Sequence, residues 1–125
     1  MAKRTIAFMI PIMPGKTDEA REILATLTGD RKDDHNATMT QHGVKRMKVW
    51  HQRRPQEAMI IYLESDDIDS SMKSRAESDH PFDDWFDRAT EAVTGIHPDK
   101  EFRDAPSELL MDWHVEKGHK YKAEH

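Results

Sequence analysis

The sequence contains no cysteine among its 125 residues, so disulfide bonds, thiolate metal sites and cysteine nucleophiles are excluded. A cysteine-free composition is compatible with a reducing compartment, and we therefore expect a cytoplasmic protein. The five glycines lie at breaks between apolar runs, and none belongs to a loop that cradles phosphates or dinucleotides. GxSxG and HExxH motifs are also absent from the sequence. These absences remove common signatures of nucleotide-binding proteins, hydrolases and zinc enzymes.

Long apolar segments and an excess of positive charge are missing as well. No apolar stretch approaches the roughly 20 residues that span a bilayer, so we predict no membrane partner. The chain has 19 basic and 24 acidic residues, and this balance argues against a nucleic-acid-binding surface. Lys3 and Arg4 precede an apolar run as in a signal peptide, but Pro11 interrupts that run and no small-residue cleavage site follows. We therefore expect a strand of the folded domain here.

The apolar residues that are present form short periodic runs, which predict one folded domain over residues 1–116 and a polar tail over 117–125. Along residues 4–13, the alternation predicts a β-strand with two apolar faces. Thr17 then suits the N-cap of an amphipathic helix. The very polar segment 30–42 is compatible with a second helix or with an ordered loop.

A hairpin is the clearest pattern in the middle of the sequence. Residues 44–53 alternate in character, and the return strand 58–63 is apolar on both faces. A weak helix is predicted over 66–77 and a strong one within 78–95, where Pro81 and Gly95 suit the two ends. Alternation over residues 108 to 115 predicts a last strand.

This order of elements is that of the split βαβ arrangement, so we predict an α+β, ferredoxin-like domain with a four-stranded antiparallel sheet. Helices would cover one face of the sheet, and the other face should then be polar. The strands at 4–13 and 58–63 instead carry apolar residues on both faces, which leaves a patch that requires a partner. We therefore predict a homodimer in which two sheets pack by two-fold symmetry. The alternative is that the tail or segment 30–42 covers this face.

Three segments carry a resemblance to a known superfamily: PGK–EAREIL after the first strand, the hairpin VKRMKVWHQ/AMIIYL and the helix SDHPFDDWFDRATEAVTG. Together they span residues 4–115, and the chain resembles the dimeric α/β-barrel superfamily, in particular an uncharacterised bacterial branch. The resemblance implies a barrel shared by two subunits. The superfamily includes cofactor-independent monooxygenases, haem-binding and haem-degrading proteins, sugar mutarotases and many members without known activity, so the resemblance does not identify a reaction.

Two of the eight histidines lie in apolar strands and are candidates for acid–base chemistry. His51 and His114 are these candidates, because a partly buried imidazole can titrate near neutrality. Asp112 lies on the same strand face as His114 and can orient or pair with it. The alternative is that both histidines are structural, with ordinary hydrogen-bond partners. Histidine spacing matches no metal motif, and we expect no metal ion and no cofactor.

Aromatic residues are the candidates for ligand binding. Trp50, Tyr62, Trp85 and Phe86 can line an apolar pocket between sheet and helices, although Trp85 and Phe86 also suit a plain hydrophobic core. His80, ahead of Pro81, can contribute to a site at the helix start or can merely precede a proline-initiated helix.

The leading hypothesis is thus a homodimer that holds a small apolar or aromatic ligand between sheet and helices. The resemblance implies monooxygenase-like or isomerase-like chemistry if the domain is an enzyme. A non-catalytic structural or regulatory dimer is the alternative. Haem binding is a further alternative, in which His51, His80 or His114 would supply the axial ligand.

Overall fold

A three-stranded antiparallel sheet with helices on one of its faces forms the body of the protein in the computed structural model, which describes residues 2–121. Its strands are β1 (Thr5–Pro11), β2 (Val44–Gln52) and β3 (Ala58–Ser65), in the order β1–β3–β2. The helices are α1 (Thr17–Thr28), α2 (Lys32–Gln41), α3 (Ile68–Ala76), α4 (Pro81–Thr94) and the short α5 (Pro98–Glu101). The predicted α+β class is confirmed, and the polar segment 30–42 contains a helix.

The register of the sheet separates two sets of side chains. Phe8 of β1 lies opposite Ile61 of β3, which lies opposite Val49 of β2. Because successive side chains of a strand point to opposite faces, this register defines an inner face under the helices and an outer face. The inner face comprises Ile6, Phe8, Ile10, Met47, Val49, Met59, Ile61 and Leu63. The outer face comprises Ala7, Met9, Lys48, Trp50, Ile60 and Tyr62.

Helix α4 begins and ends at residues that the sequence marks. Pro81 is its first residue, and Nδ1 of His80 accepts a hydrogen bond from the Phe82 N–H at 3.1 Å. Gly95 ends the helix with a φ of 75°, a conformation in which a side chain would be strained. Between these ends, Phe82 and Val93 are buried against the rest of the protein, each only 2% exposed.

The predicted four-stranded sheet is wrong, because residues 108–115 do not form a strand beside β1. Only β4 (Asp112–His114) is extended, and it pairs with β5 (Gly118–Tyr121) in a separate two-stranded sheet. The predicted polar tail, 117–125, therefore contributes β5, and its last residues, 122–125, lie outside the described part of the chain.

The chain between α5 and β4 explains why the fourth strand does not join the sheet. Phe102 and Ala105 pack against the apolar core, so side-chain packing holds this part of the chain. Pro106 has no N–H to donate to a strand ladder. The next residue reaches β1 through its side chain instead of its backbone, since the Ser107 hydroxyl donates to the Ala7 carbonyl at 2.6 Å.

Candidate functional site

An apolar cavity of about 120 Å³ lies between the inner face of the sheet and the helices. The sheet contributes Phe8, Ile10, Val49, Met59 and Ile61 to its walls, and the helices contribute Ile23, Leu24, Met72, Ala76 and Phe86. For comparison, an engineered cavity of about 150 Å³ with similar walls stays dry and binds benzene or xenon. The space therefore suits a molecule about the size of one aromatic ring.

Three polar residues, Ser71, Arg75 and Thr90, also line the cavity. The Ser71 hydroxyl is hydrogen-bonded to the Ser65 hydroxyl, with 2.6 Å between the oxygens. The Arg75 guanidinium binds both carboxylate oxygens of Asp87, at 2.8 and 3.1 Å. Of the described residues that line the cavity, Arg75 is the one that ionises, and its charge is paired with Asp87. The described walls of the cavity therefore contain no unpaired positive charge that could bind an anion.

Arg75 also connects the cavity to a buried polar cluster around Asp83. One oxygen of the Asp83 carboxylate accepts hydrogen bonds from His42 Nε2 and the Ser78 hydroxyl, both at 2.7 Å. The other oxygen lies 3.4 Å from Arg75 Nε. Burial acts to raise the pKa of Asp83, but the hydrogen bonds from His42 and Ser78 and the charge of Arg75 outweigh it and lower this pKa. Asp83 is thus ionised at neutral pH.

His42 joins Asp83 to a serine on the protein surface. Its Nδ1 lies 2.7 Å from the Ser74 hydroxyl oxygen, so one imidazole bridges Ser74 and Asp83. His42 directly follows α2, Ser74 lies in the last turns of α3, and Asp83 lies in the first turn of α4. The sequence analysis missed this cluster because its members are 32 and 41 positions apart, and no local spacing links them.

His51, the first predicted acid–base residue, lies at the end of β2 on the same face as the cavity but outside its walls. Arg21 Nη1 lies 3.1 Å from His51 Nδ1, and an arginine can only donate, so Nδ1 accepts and Nε2 carries the proton. Nε2 is directed toward the Glu57 carboxylate at 3.6 Å. The hydrogen bond from Thr17, followed by the contact with His51, lowers the pKa of Glu57.

The other two predicted catalytic residues, His114 and Asp112, lie in β4, which pairs with β5 near the C-terminal end of the described chain. His114 is exposed, and its Nδ1 accepts a hydrogen bond from the Glu116 N–H at 3.2 Å. Asp112 is half-buried at the start of the same strand. His51, His114 and Asp112 therefore lie on two separate sheets, and none of them lines the cavity.

Of the predicted ligand-binding residues, Phe86 is the one that lines the cavity. Trp85 packs beside it, with 6.4 Å between ring centroids, and also contacts Phe82. The Arg31 guanidinium lies 4.5 Å from the centre of the Trp85 ring, a cation–π geometry. His80 serves as the N-cap of α4. Trp85 and His80 thus pack against other residues of α4 and against Arg31, and Phe86 alone of these candidates contributes to the cavity wall.

Trp50 and Tyr62 lie on the outer face of the sheet, so they do not face the cavity. Trp50 is 51% exposed, and Lys48 Nζ lies 5.8 and 5.9 Å from the centres of the Trp50 and Tyr62 rings. The Tyr62 hydroxyl donates to the Glu64 carboxylate at 2.8 Å. The sequence does not assign Tyr62 to a face, because its strand, β3, is apolar on both faces. The alternation along β2 does place Trp50 on the face opposite to that of Met47 and Val49, away from the cavity.

Comparison with protein-family models, with curated proteins and with solved structures finds no match to this chain. Among the side chains that the structure describes, those of residues 2–98 and 101–118, no three metal-ligating groups come together. Within residues 2–121, no helix combines the length and apolar character needed to cross a membrane.

Proposed function

We propose that this protein binds a small, uncharged, apolar or aromatic molecule in the cavity between its sheet and its helices. The observation that carries the proposal is the 120 Å³ space with walls of aliphatic and aromatic side chains. Apolar surface buried from water stabilises a bound molecule by about 25 cal/mol per Å². An anion is disfavoured because Asp87 already pairs with Arg75. A haem is disfavoured by size, since even drug-sized ligands need about 300 Å³ or more.

Binding fits the cavity better than catalysis does. Monooxygenase-like or isomerase-like chemistry, which the superfamily resemblance implies, needs a group that moves a proton at the substrate. The candidates His51, His114 and Asp112 lie outside the cavity walls, and Arg75 is a guanidinium that stays protonated. We therefore propose a binding protein rather than an enzyme at this site.

The test is thermal unfolding with and without saturating benzene. A ligand that binds only the folded state at 100 times its Kd adds about 2.7 kcal/mol, so we expect a rise in Tm of several degrees. Ala76→Leu fills the cavity from α3 and should abolish the rise. Ala37→Leu makes the same change on the exposed side of α2 and should keep it. Unchanged Tm of the native chain, or an equal rise in Ala76→Leu, would contradict binding in the cavity.

We further propose that two copies associate through surfaces that carry exposed apolar side chains. Met9 and Trp50 on the outer face are 44% and 51% exposed, and the large apolar residues of the segment 110–115 are 57–77% exposed. These residues are Leu110, Met111, Trp113 and Val115. Large apolar side chains that are exposed in such number are typical of association sites. A two-fold contact lets each copy cover the same surface on the other.

Sedimentation equilibrium at micromolar concentration tests the dimer. We expect twice the 14.6 kDa mass of the chain for the native protein. Met9→Glu should give the monomer mass, because a charge would be buried in the interface. Ala37→Glu, a charge placed on the exposed side of α2, should leave the dimer intact. A native protein of 14.6 kDa would overturn the proposal.

A further inference from the structure

We infer that Ser74 is a nucleophile activated by His42 and Asp83, and that it accepts acyl groups from small activated esters at the protein surface. The contacts that carry the inference are two: 2.7 Å from the Ser74 oxygen to His42 Nδ1, and 2.7 Å from His42 Nε2 to Asp83. Ser74 does not line the cavity, so this function is additional to ligand binding and independent of it.

Asp83 determines which nitrogen of His42 carries the proton. A carboxylate accepts hydrogen bonds and cannot donate them, so His42 Nε2 must donate to Asp83. In the neutral imidazole, Nδ1 then has a free lone pair, and the Ser74 hydroxyl must donate its hydrogen to it. Ser78 and Arg75 hold the carboxylate from its other sides, which fixes this arrangement. The serine is therefore bonded to a base that is ready to take its proton.

The exposure of Ser74, His42 and Asp83 fits these three roles. A nucleophile must be reachable from solution, whereas its base and the carboxylate that orients the base work best when they are shielded from water. The side chains of His42 and Asp83 are 2% and 1% exposed, so water does not compete for their hydrogen bonds. Ser74 is exposed and can be reached by a reagent from solution. The serine pairs with Nδ1 and the aspartate with Nε2, the reverse of serine proteases, but either nitrogen can act as the base.

The proposed step balances without a further reactant. The Ser74 oxygen bonds to the carbonyl carbon of the ester while its O–H bond breaks, and the proton passes to His42 Nδ1. The bond between the carbonyl carbon and the ester oxygen then breaks, and the leaving alcohol takes the proton from His42. General-base assistance alone contributes about 10²- to 10⁴-fold, so we expect acylation of Ser74 to be readily measured and turnover to be slow.

The first experiment treats the native chain with an alkyl fluorophosphonate, which loses fluoride when a serine oxygen bonds to phosphorus. Mass spectrometry should find one phosphonyl group per chain, on Ser74. Ser74→Ala should abolish the label, whereas Ser70→Ala, one helical turn away at a similarly exposed position of α3, should keep it. No label on the folded native chain, or a label that persists in Ser74→Ala, would overturn the inference.

The second experiment uses the absence of cysteine, because Ser74→Cys and Ser70→Cys each contain a single thiol. A neighbouring histidine favours the thiolate, so iodoacetamide at pH 7 should alkylate Ser74→Cys about 10-fold faster than Ser70→Cys. Adding His42→Asn to Ser74→Cys should remove this difference, although Lys73 and Arg75 still flank the thiol. Circular dichroism checks that each variant is folded. Equal rates in the two single variants contradict activation by His42.

Discussion

At the scale of single residues, the neighbouring Asp83 and Asp84 illustrate how position decides what a carboxylate contributes. Both lie in the first turn of α4, where a negative charge is favourable. The Asp83 side chain is 1% exposed and has His42, Ser78 and Arg75 around it. The Asp84 side chain is 63% exposed and pairs with Arg88 on the surface. The two residues therefore provide a matched pair for mutation.

Asp83→Ala should lower the free energy of unfolding by about 3–5 kcal/mol, because it removes the buried acceptor of the His42 Nε2 and Ser78 hydrogen bonds and leaves Arg75 with Asp87 alone. Asp84→Ala removes an exposed ion pair and should cost about 1 kcal/mol or less. The pKa of Asp83 is lowered by folding, so its contribution is present at neutral pH and is lost as the pH falls below about 4, through that lowered pKa. Urea unfolding of both variants measures the difference, and equal losses would show that the cluster does not stabilise the fold.

His35 gives a prediction at higher pH. Burial lowers its pKa, and the nearby charge of Asp83 opposes this only in part. As the pH falls through about 6.5, His35 takes up a proton in the unfolded chain but not yet in the folded one. The free energy of unfolding therefore decreases from there down to the lowered pKa of His35 in the folded state. We expect His35→Gln to have a flatter dependence of unfolding free energy on pH between about 7 and 5. Parallel profiles for the native chain and the variant would be the contrary result.

At the scale of elements, the start of α4 depends on the side chain of His80. Its Nδ1 accepts the Phe82 N–H, which is the role that serine or asparagine usually has at an N-cap. His80→Ala should lower the free energy of unfolding by about 1 kcal/mol, and His80→Asn should restore most of it. If His80→Asn is as unstable as His80→Ala, the imidazole has a role other than capping.

The sequence predicted elements well where local signals and core packing agree. For α4, Pro81, Gly95 and an apolar stripe all lie at the right spacing, and the helix forms within the predicted segment. For α2, the sequence left helix and loop open, because this helix has no apolar stripe and buries Thr38 instead. The last strand was predicted from alternation alone, and alternation cannot show that Pro106 and Ser107 keep the backbone off the β1 edge.

At the scale of the whole molecule, the segment after Ala105 should be dispensable for folding. Phe102 and Ala105 complete the core, whereas the large apolar side chains of the segment 110–115 are exposed. A chain that ends at Ala105 loses the hydrogen bond from Ser107 to Ala7, which is worth about 1 kcal/mol. We expect its circular dichroism spectrum to keep the helical signal and its mass in solution to be that of a monomer. A truncated chain that is unfolded would show instead that the hairpin stabilises the sheet.

The cavity and the Ser74–His42–Asp83 cluster show which features cannot be predicted from local sequence patterns. The apolar inner face was evident from the alternation in β1, and Phe86 was among the predicted ligand-binding residues. The cavity volume depends on how five helices meet that face, and no local pattern in the sequence determines this arrangement. The Ser74–His42–Asp83 contact depends on the packing of three helices and on ordinary-looking polar residues. Their types are common on helix surfaces, so only the fold distinguishes them.

The polar cluster has a consequence for how this scaffold can change over time. Hydrogen bonds and ion pairs from Arg75, His42 and Asp83 are directional and fix α3 and α4 relative to each other. Apolar cavity walls, by contrast, tolerate exchanges that conserve volume at a cost of less than about 1.5 kcal/mol. Mutations in the walls can therefore reshape the space while the helices keep their register. Descendants of this chain that retain the cluster are thus free to diverge in the molecules they hold.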